Sequence, residues 1–263
     1  FNGTITGTNA SDGVIITNPT RPVTFTTLTL GAGGARFTVT PVTLAGNTGA
    51  VDLGVFTSFT DGDEALNISY VNASPGQVTT DAGSLLNASG ATPALFVSHA
   101  TNQALTLNFA SITNTGAGTH GVNINRASGT LTVTGLTNLG AKTTAGIAIS
   151  NSNLTTSFEE VDINGAADGV KLTTNTGSFT IDGDGNFQTL HTNGAGGTFT
   201  NLTDNAFDLN GVVNLQVTDI TISGTGGHGV TGTGVSGTTI FSNVDMTNIG
   251  NADNEHVFNF QEG

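Results

Sequence analysis

The sequence predicts an all-β solenoid, a parallel β-helix with about ten or eleven rungs of three short strands each. One observation is a recurring start: Gly121-Val-Asn-Ile124 returns as Gly146-Ile-Ala-Ile149, Gly169-Val-Lys-Leu172, Ala206-Phe-Asp-Leu209 and Gly229-Val230, at intervals of 25, 23, 37 and 23 residues. Another is that each start is followed by apolar pairs two residues apart, first Leu131/Val133, Phe179/Ile181 and Leu215/Val217. Then come Leu136 with Leu139, Val161/Ile163, Ile220/Ile222 and Val244/Met246. Side chains at i and i+2 of a strand share one face, so each pair marks a short strand with an apolar inner side. The period is too short for a strand–helix–strand unit or a propeller blade, and no stretch keeps helical spacing over three turns. Stacking one rung per period, strand on strand about 4.8 Å apart, is the solution that remains.

Along the chain, residues 1–93 read as looser first rungs or an N-terminal cap, and 94–263 as the regular coil. The early pairs are Val14/Ile16, Val23/Phe25, Leu28/Leu30, Phe37/Val39, Val42/Leu44 and Val51/Leu53 with Val55. Pro19, Pro22 and Pro41 lie at their ends. Leu66/Ile68/Tyr70 alternate between two turn-rich segments, and Leu95/Val97, Leu105/Leu107 and Ile112 resume the coil. The 37-residue interval holds a full rung plus a corner-loop insertion at 182–197. After Ile249, the Val257 and Phe258/Phe260 run reads as the start of one more strand, an open end for a neighbouring rung. The chain begins at Phe1 without Met, the expectation for a processed precursor or an excised segment.

Composition narrows function by exclusion. Gly is 38 of 263 residues, charged residues are 9%, and the net charge is −14 on five Lys and Arg. So few cations cannot neutralise a phosphate backbone, and an anionic membrane surface repels the chain. No apolar run is long enough for membrane insertion. Cysteine is absent, which excludes disulfides and thiolate chemistry.

The run Gly197-Thr-Phe-Thr-Asn-Leu-Thr-Asp-Asn-Ala-Phe-Asp-Leu209, followed by Val217 to Val230, resembles the repeats of right-handed parallel β-helix proteins. It is most similar to the "beta strand repeat" segments of very large bacterial surface and secreted proteins. The resemblance covers residues 90–263 well and the first 90 loosely. It implies an extracellular or cell-surface protein: an adhesin or autotransporter-passenger-like stalk, or a filament subunit. Its partners would be further solenoid ends, its own or a longer chain's, and surface glycans. The same broad fold hosts pectate lyases, polygalacturonases and phage tailspikes, so a polysaccharide-active lyase or hydrolase is the alternative.

Individual residues weigh against that alternative. Gly227-His228-Gly229 resembles an element of polygalacturonases, but their Asn-Thr-Asp, Asp-Asp and Arg-x-Lys companions are missing. Thr119-His120-Gly121 and Ala167-Asp168-Gly169 occupy the same place in other repeats, which reads His228 as a corner element. The coil cations Arg126, Lys142 and Lys171 match no lyase motif. Asp61-Gly-Asp63-Glu64 and Asp182-Gly-Asp184 cluster carboxylates on turns, an arrangement calcium accepts, yet neither continues into a known calcium loop. Both read first as Asp-Gly turns, and no catalytic, cofactor or metal residue is assigned. Thr-x-Thr strands would suit an ice-binding array, but reading the second strands as Leu131-Thr-Val, Leu154-Thr-Thr, Phe179-Thr-Ile and Leu215-Gln-Val breaks that column at Gln216. Asn-x-Ser/Thr at Asn2, Asn9, Asn67, Asn72, Asn87, Asn153 and Asn201 follows from an Asn- and Thr-rich chain.

Overall fold

A computed structural model describes residues 13–31, 35–70, 75–183 and 195–262. Among these residues every regular element is a strand, and every strand pairing is parallel. The chain winds as a β-solenoid with three faces. The column Ile16–Leu44–Ile68–Val97–Ile124–Ile149–Leu172–Leu209–Gly232–Phe260 runs unbroken along the inside of the first face. Its nine steps make about nine turns, plus the first strand of another, and give a coil about 45 Å long. Against an expectation of about ten or eleven rungs, the described residues form about nine turns, because most steps of the column are longer than its shortest. Steps in this column range from 23 residues (Ile149 to Leu172) to 37 (Leu172 to Leu209). The inserted residues 184–194 lie outside the described residues.

Alternation builds one continuous core. Phe179 and Ile181 point inward and are fully buried, while Thr180 between them faces out. Phe158 packs tilted against Phe179 in the next turn at 5.6 Å between ring centroids, and Phe199 against Phe207 across a corner at 5.3 Å, so large side chains meet inside the coil. Burying each such residue contributes roughly 1.5–3 kcal/mol. Several of the polar groups taken inside are bonded at the corners. Ser152 Oγ accepts the Ala127 N–H at 3.1 Å and donates to Ser150 O at 2.7 Å. Asn175 Nδ2 donates to Gly177 O at 2.9 Å. Opposite Phe260, Gly232 has room for its neighbour only because it lacks Cβ. A Cβ there would lie 2.5 Å from the Phe260 ring.

The corners are what turn the chain. Arg126, Asn151, Thr174, Gly211 and Gly234 each follow the first-face strand in successive turns, and all are left-handed, with φ of 61°, 50°, 53°, 63° and 62°. Asn201, Gly224 and Asn248 repeat this at a second corner, with φ of 54°, 75° and 52°. Asparagine and glycine tolerate that region, which explains their abundance here.

Three expected pairings are corrected. Leu136 is only half-buried and sits opposite Glu160. Thr137 takes the inner position with Leu139, because only those two are two apart after the corner irregularity. Val55 faces outward and Phe56 inward, since the left-handed Gly54 (φ 59°) shifts the alternation by one. In the second strand of the sixth turn, Thr156-Ser157-Phe158 rather than Leu154-Thr155-Thr156 lies in register with Leu131-Thr132-Val133. The outward column therefore reads Thr132, Ser157, Thr180, Gln216, Ile240.

Candidate functional site

The densest group of charged side chains stands where the first-face strands begin. His120, Ala145 and Asp168 are direct register partners. Asn205, His228 and His256 continue the same corner, each two residues before a first-face strand position. There the side chain of one turn accepts the backbone N–H of the next. Asp168 Oδ1 takes the Asn205 N–H at 3.2 Å, Asn205 Oδ1 takes that of His228 at 2.9 Å, and His228 Nδ1 takes that of His256 at 2.9 Å. The other ring nitrogen of His228, Nε2, lies 3.0 Å from Asn259 Nδ2. The expectation that His228 is a corner element in line with His120 and Asp168 matches this geometry.

Lys171 lies on the outer side of this corner. Its Nζ donates to Asp168 Oδ2 at 3.1 Å and to Asp208 Oδ2 in the next turn. Burial works to lower the Lys171 ammonium, but the bonds to Asp208 and Asp168 outweigh it and raise it. Asp204, nearby, is pushed up by burial, then by the charges of Asp168 and Asp208, against the pull of Lys171 and His228. Burial, followed by the positive Lys171, holds His120 below the usual histidine range. The chain thus gathers Asp168, Asp204, Asp208, Lys171 and His228 from three consecutive turns.

That gathering was not read from the sequence. The 37-residue interval separates Asp168 from Asp204 and Asp208, so no Asp-Asp or Asn-Thr-Asp pattern announces it. The signal was present in the repeat itself: aligning Val170-Lys-Leu with Phe207-Asp-Leu sets Lys171 directly on Asp208.

The other singled-out residues serve elsewhere. Arg126 Nη1 donates to Ala100 O at 2.7 Å. Lys142 is buried and donates to Asn114 Oδ1 at 3.2 Å, to Asn114 O at 3.3 Å and to Gly116 O. Burial pushes its ammonium down to about 8. The three coil cations therefore do not converge. At the first acidic turn, Asp61 Oδ1 accepts from Ser89 Oγ at 2.5 Å and pairs with Arg36 Nε, while Glu64 Oε2 accepts from Thr40 Oγ1 at 2.9 Å. The Ser89 bond, then Arg36, holds the Asp61 carboxyl low against some burial. These oxygens are engaged by protein donors instead of facing a common point. At the second turn, Asp184 lies outside the described residues.

No protein family model, curated protein or solved structure matches this chain.

Proposed function

We propose that this chain is a rigid extracellular β-solenoid, a stalk or adhesive segment of the bacterial surface type, which associates end to end through its terminal rungs. One observation carries the reading: the inner column from Ile16 to Phe260 crosses nine steps with no interruption in its pairing. Outer side chains add axial ties, among them Lys171 to Asp208 and Arg36, whose Nη2 reaches Thr60 O at 2.7 Å and Asn87 O at 3.0 Å. A rod of this kind acts by geometry, holding its two ends and its outer faces at fixed separation.

The last rung supports the associative part. Phe258 and Phe260 are 44% and 47% exposed, although their register partners Val230 and Gly232 lie in the inner columns. The aromatic row Phe207–Phe241–Phe258 leads to that edge. A further rung, from a second copy or a continuing chain, would cover it and complete the backbone bonding. Sedimentation velocity over a concentration series, with negative-stain microscopy, tests self-association. Wild type should form rods that Phe258→Asp/Phe260→Asp dissolves. A monodisperse monomer at high concentration would refute end-to-end assembly of this chain with itself.

A second reading, a polysaccharide-active enzyme, is favoured by one observation: Asp204, with its raised proton affinity, stands beside Asp208, whose charge Lys171 offsets. A carboxyl of raised proton affinity suits the acid role in glycosidic cleavage. Reducing ends and unsaturated uronate absorbance would be measured on neutral and acidic polysaccharides, with and without calcium. Product from wild type and none from Asp204→Asn would establish the enzyme. No product from any substrate would remove it.

A further inference from the structure

The corner ladder that precedes the first-face strands changes chemistry at its last step. Asp168 Oδ1 accepts the Asn205 N–H at 3.2 Å, Asn205 Oδ1 that of His228 at 2.9 Å, and His228 Nδ1 that of His256 at 2.9 Å. A carboxyl or amide oxygen accepts a hydrogen bond on either side of neutral pH. An imidazole nitrogen accepts only while it is unprotonated, and imidazolium is a donor at both nitrogens. Of these three bonds, the one that acid removes is therefore the one that ties down the last rung.

That rung is lightly packed. Its strand Phe258–Gln261 pairs with Val230–Thr233, and the Gly229 and Val230 N–H groups reach His256 O at 3.0 Å and Val257 O at 2.8 Å. Val257, Phe258 and Phe260 are all exposed, so apolar burial holds the rung only weakly. The His228 ring meets it at three points: Nδ1 on the His256 N–H, Nε2 at 3.0 Å from Asn259 Nδ2, and an edge contact with the His256 ring at 5.7 Å between centroids. Whichever way the Asn259 amide faces Nε2, a doubly protonated ring keeps no lone pair at Nδ1.

We infer that His228 is an acid-sensitive latch on the last rung, and that protonating it loosens residues 251–261 from the coil. The docked rung needs Nδ1 bare, so the released state binds more protons and docking weakens as pH falls. The neighbouring charges do not reverse this sign. Asp204, on the turn before, attracts a proton to His228 whether the rung is docked or released. Lys171 and Asp208 are paired with one another. On the rung itself, Glu255 Oε2 accepts the Asn251 and Ala252 N–H groups, and His256, once charged, stands against a charged His228. The exposed Phe258 and Phe260 travel with the rung, so the latch also sets whether that edge is offered to a neighbour. This consequence rests on the end-to-end reading; the latch itself does not.

The test is amide hydrogen exchange by mass spectrometry on the whole chain, read as protection factors at about pH 8 and about pH 5, the span over which histidine changes charge. Protection of residues 251–261 should fall about fivefold at the lower pH, the scale of one lost hydrogen bond, while Leu66–Tyr70 holds. His228→Asn places there the acceptor that Asn205 supplies one turn earlier, so its last rung should stay protected at both pH values. His256→Asn should keep the fall, because the bond comes from the backbone N–H at that position. No fall in wild type, the same fall in His228→Asn, or its disappearance in His256→Asn would each overturn the latch. Sedimentation velocity at the same two pH values separates the readings. Rods lost at low pH in wild type but not in His228→Asn follow from the latch. Monomers at both pH values, beside the expected exchange result, would refute end-to-end assembly and leave the latch standing.

Discussion

Lys171 spans two turns of the coil: its ammonium holds Asp168 in its own turn and Asp208 in the next. The pair is asymmetric, since the Asp168 side chain is 5% exposed and that of Asp208 is 29%. Asp168 also receives the backbone and side-chain N–H groups of Asn205, both at 3.2 Å. One cation and two carboxylates, one of them anchored to a backbone N–H of the next turn, therefore bolt consecutive turns together on the outside, where the apolar columns cannot act.

Replacing Lys171 with Met should leave that buried carboxylate without its cation. The expected loss is about 1–3 kcal/mol, less than for a fully buried pair because Lys171 is more than a third exposed. The Lys171 ammonium is raised, so its contribution is complete below its ordinary range and is lost as pH climbs through the raised value. Urea unfolding at neutral pH and above pH 10.5 measures both effects. Equal stability of the two proteins at neutral pH would show that the bridge adds nothing.

Lys142 should give the opposite slope. Its ammonium is lowered from 10.5 to about 8, so between those values the unfolded chain binds more protons than the folded one. Stability then rises with pH across that window. Lys142→Met should flatten the rise in unfolding free energy measured from pH 8 to 10.5. A wild-type profile already flat there would contradict the assignment.

Thr174 is a β-branched residue at φ 53°, a conformation its column neighbours meet with Asn151 and Gly211. Thr174→Asn should stabilise the protein by about 1 kcal/mol, because asparagine enters the left-handed region at less cost. The readout is a melting temperature higher by about 2–3 °C. A lower one would mean that Thr174 makes a compensating contact.

Phe179→Ala should cost about 3–5 kcal/mol, since the ring is fully buried against Phe158. In a solenoid each turn contacts only its neighbours, so the damage should be local. Amide hydrogen exchange should quicken around Thr156 and Leu215, the facing positions, and change little in Leu66–Tyr70. Uniform loss of protection along the coil would show a single cooperative unit instead.

The sequence by itself determined the solenoid. Apolar pairs two apart, recurring with Gly-, Asn- and Thr-rich turns, admit almost no other packing, and the repeat placed His120, Asp168 and His228 at one corner. It also carried the Lys171–Asp208 match in the alignment of two repeat starts. Only the tertiary structure decided phase and company. A left-handed residue such as Gly54 shifts the alternation by one position, so composition leaves open whether Val55 or Phe56 turns inward. The corner after Val133 sends Leu136 outward and Thr137 inward for a like reason. The Asp168, Asp204, Asp208, Lys171 and His228 group depends on which turns stack on which. Residues 36 or 60 apart become neighbours only when each rung's length is known, and that length is set by corner conformation, which local sequence specifies weakly.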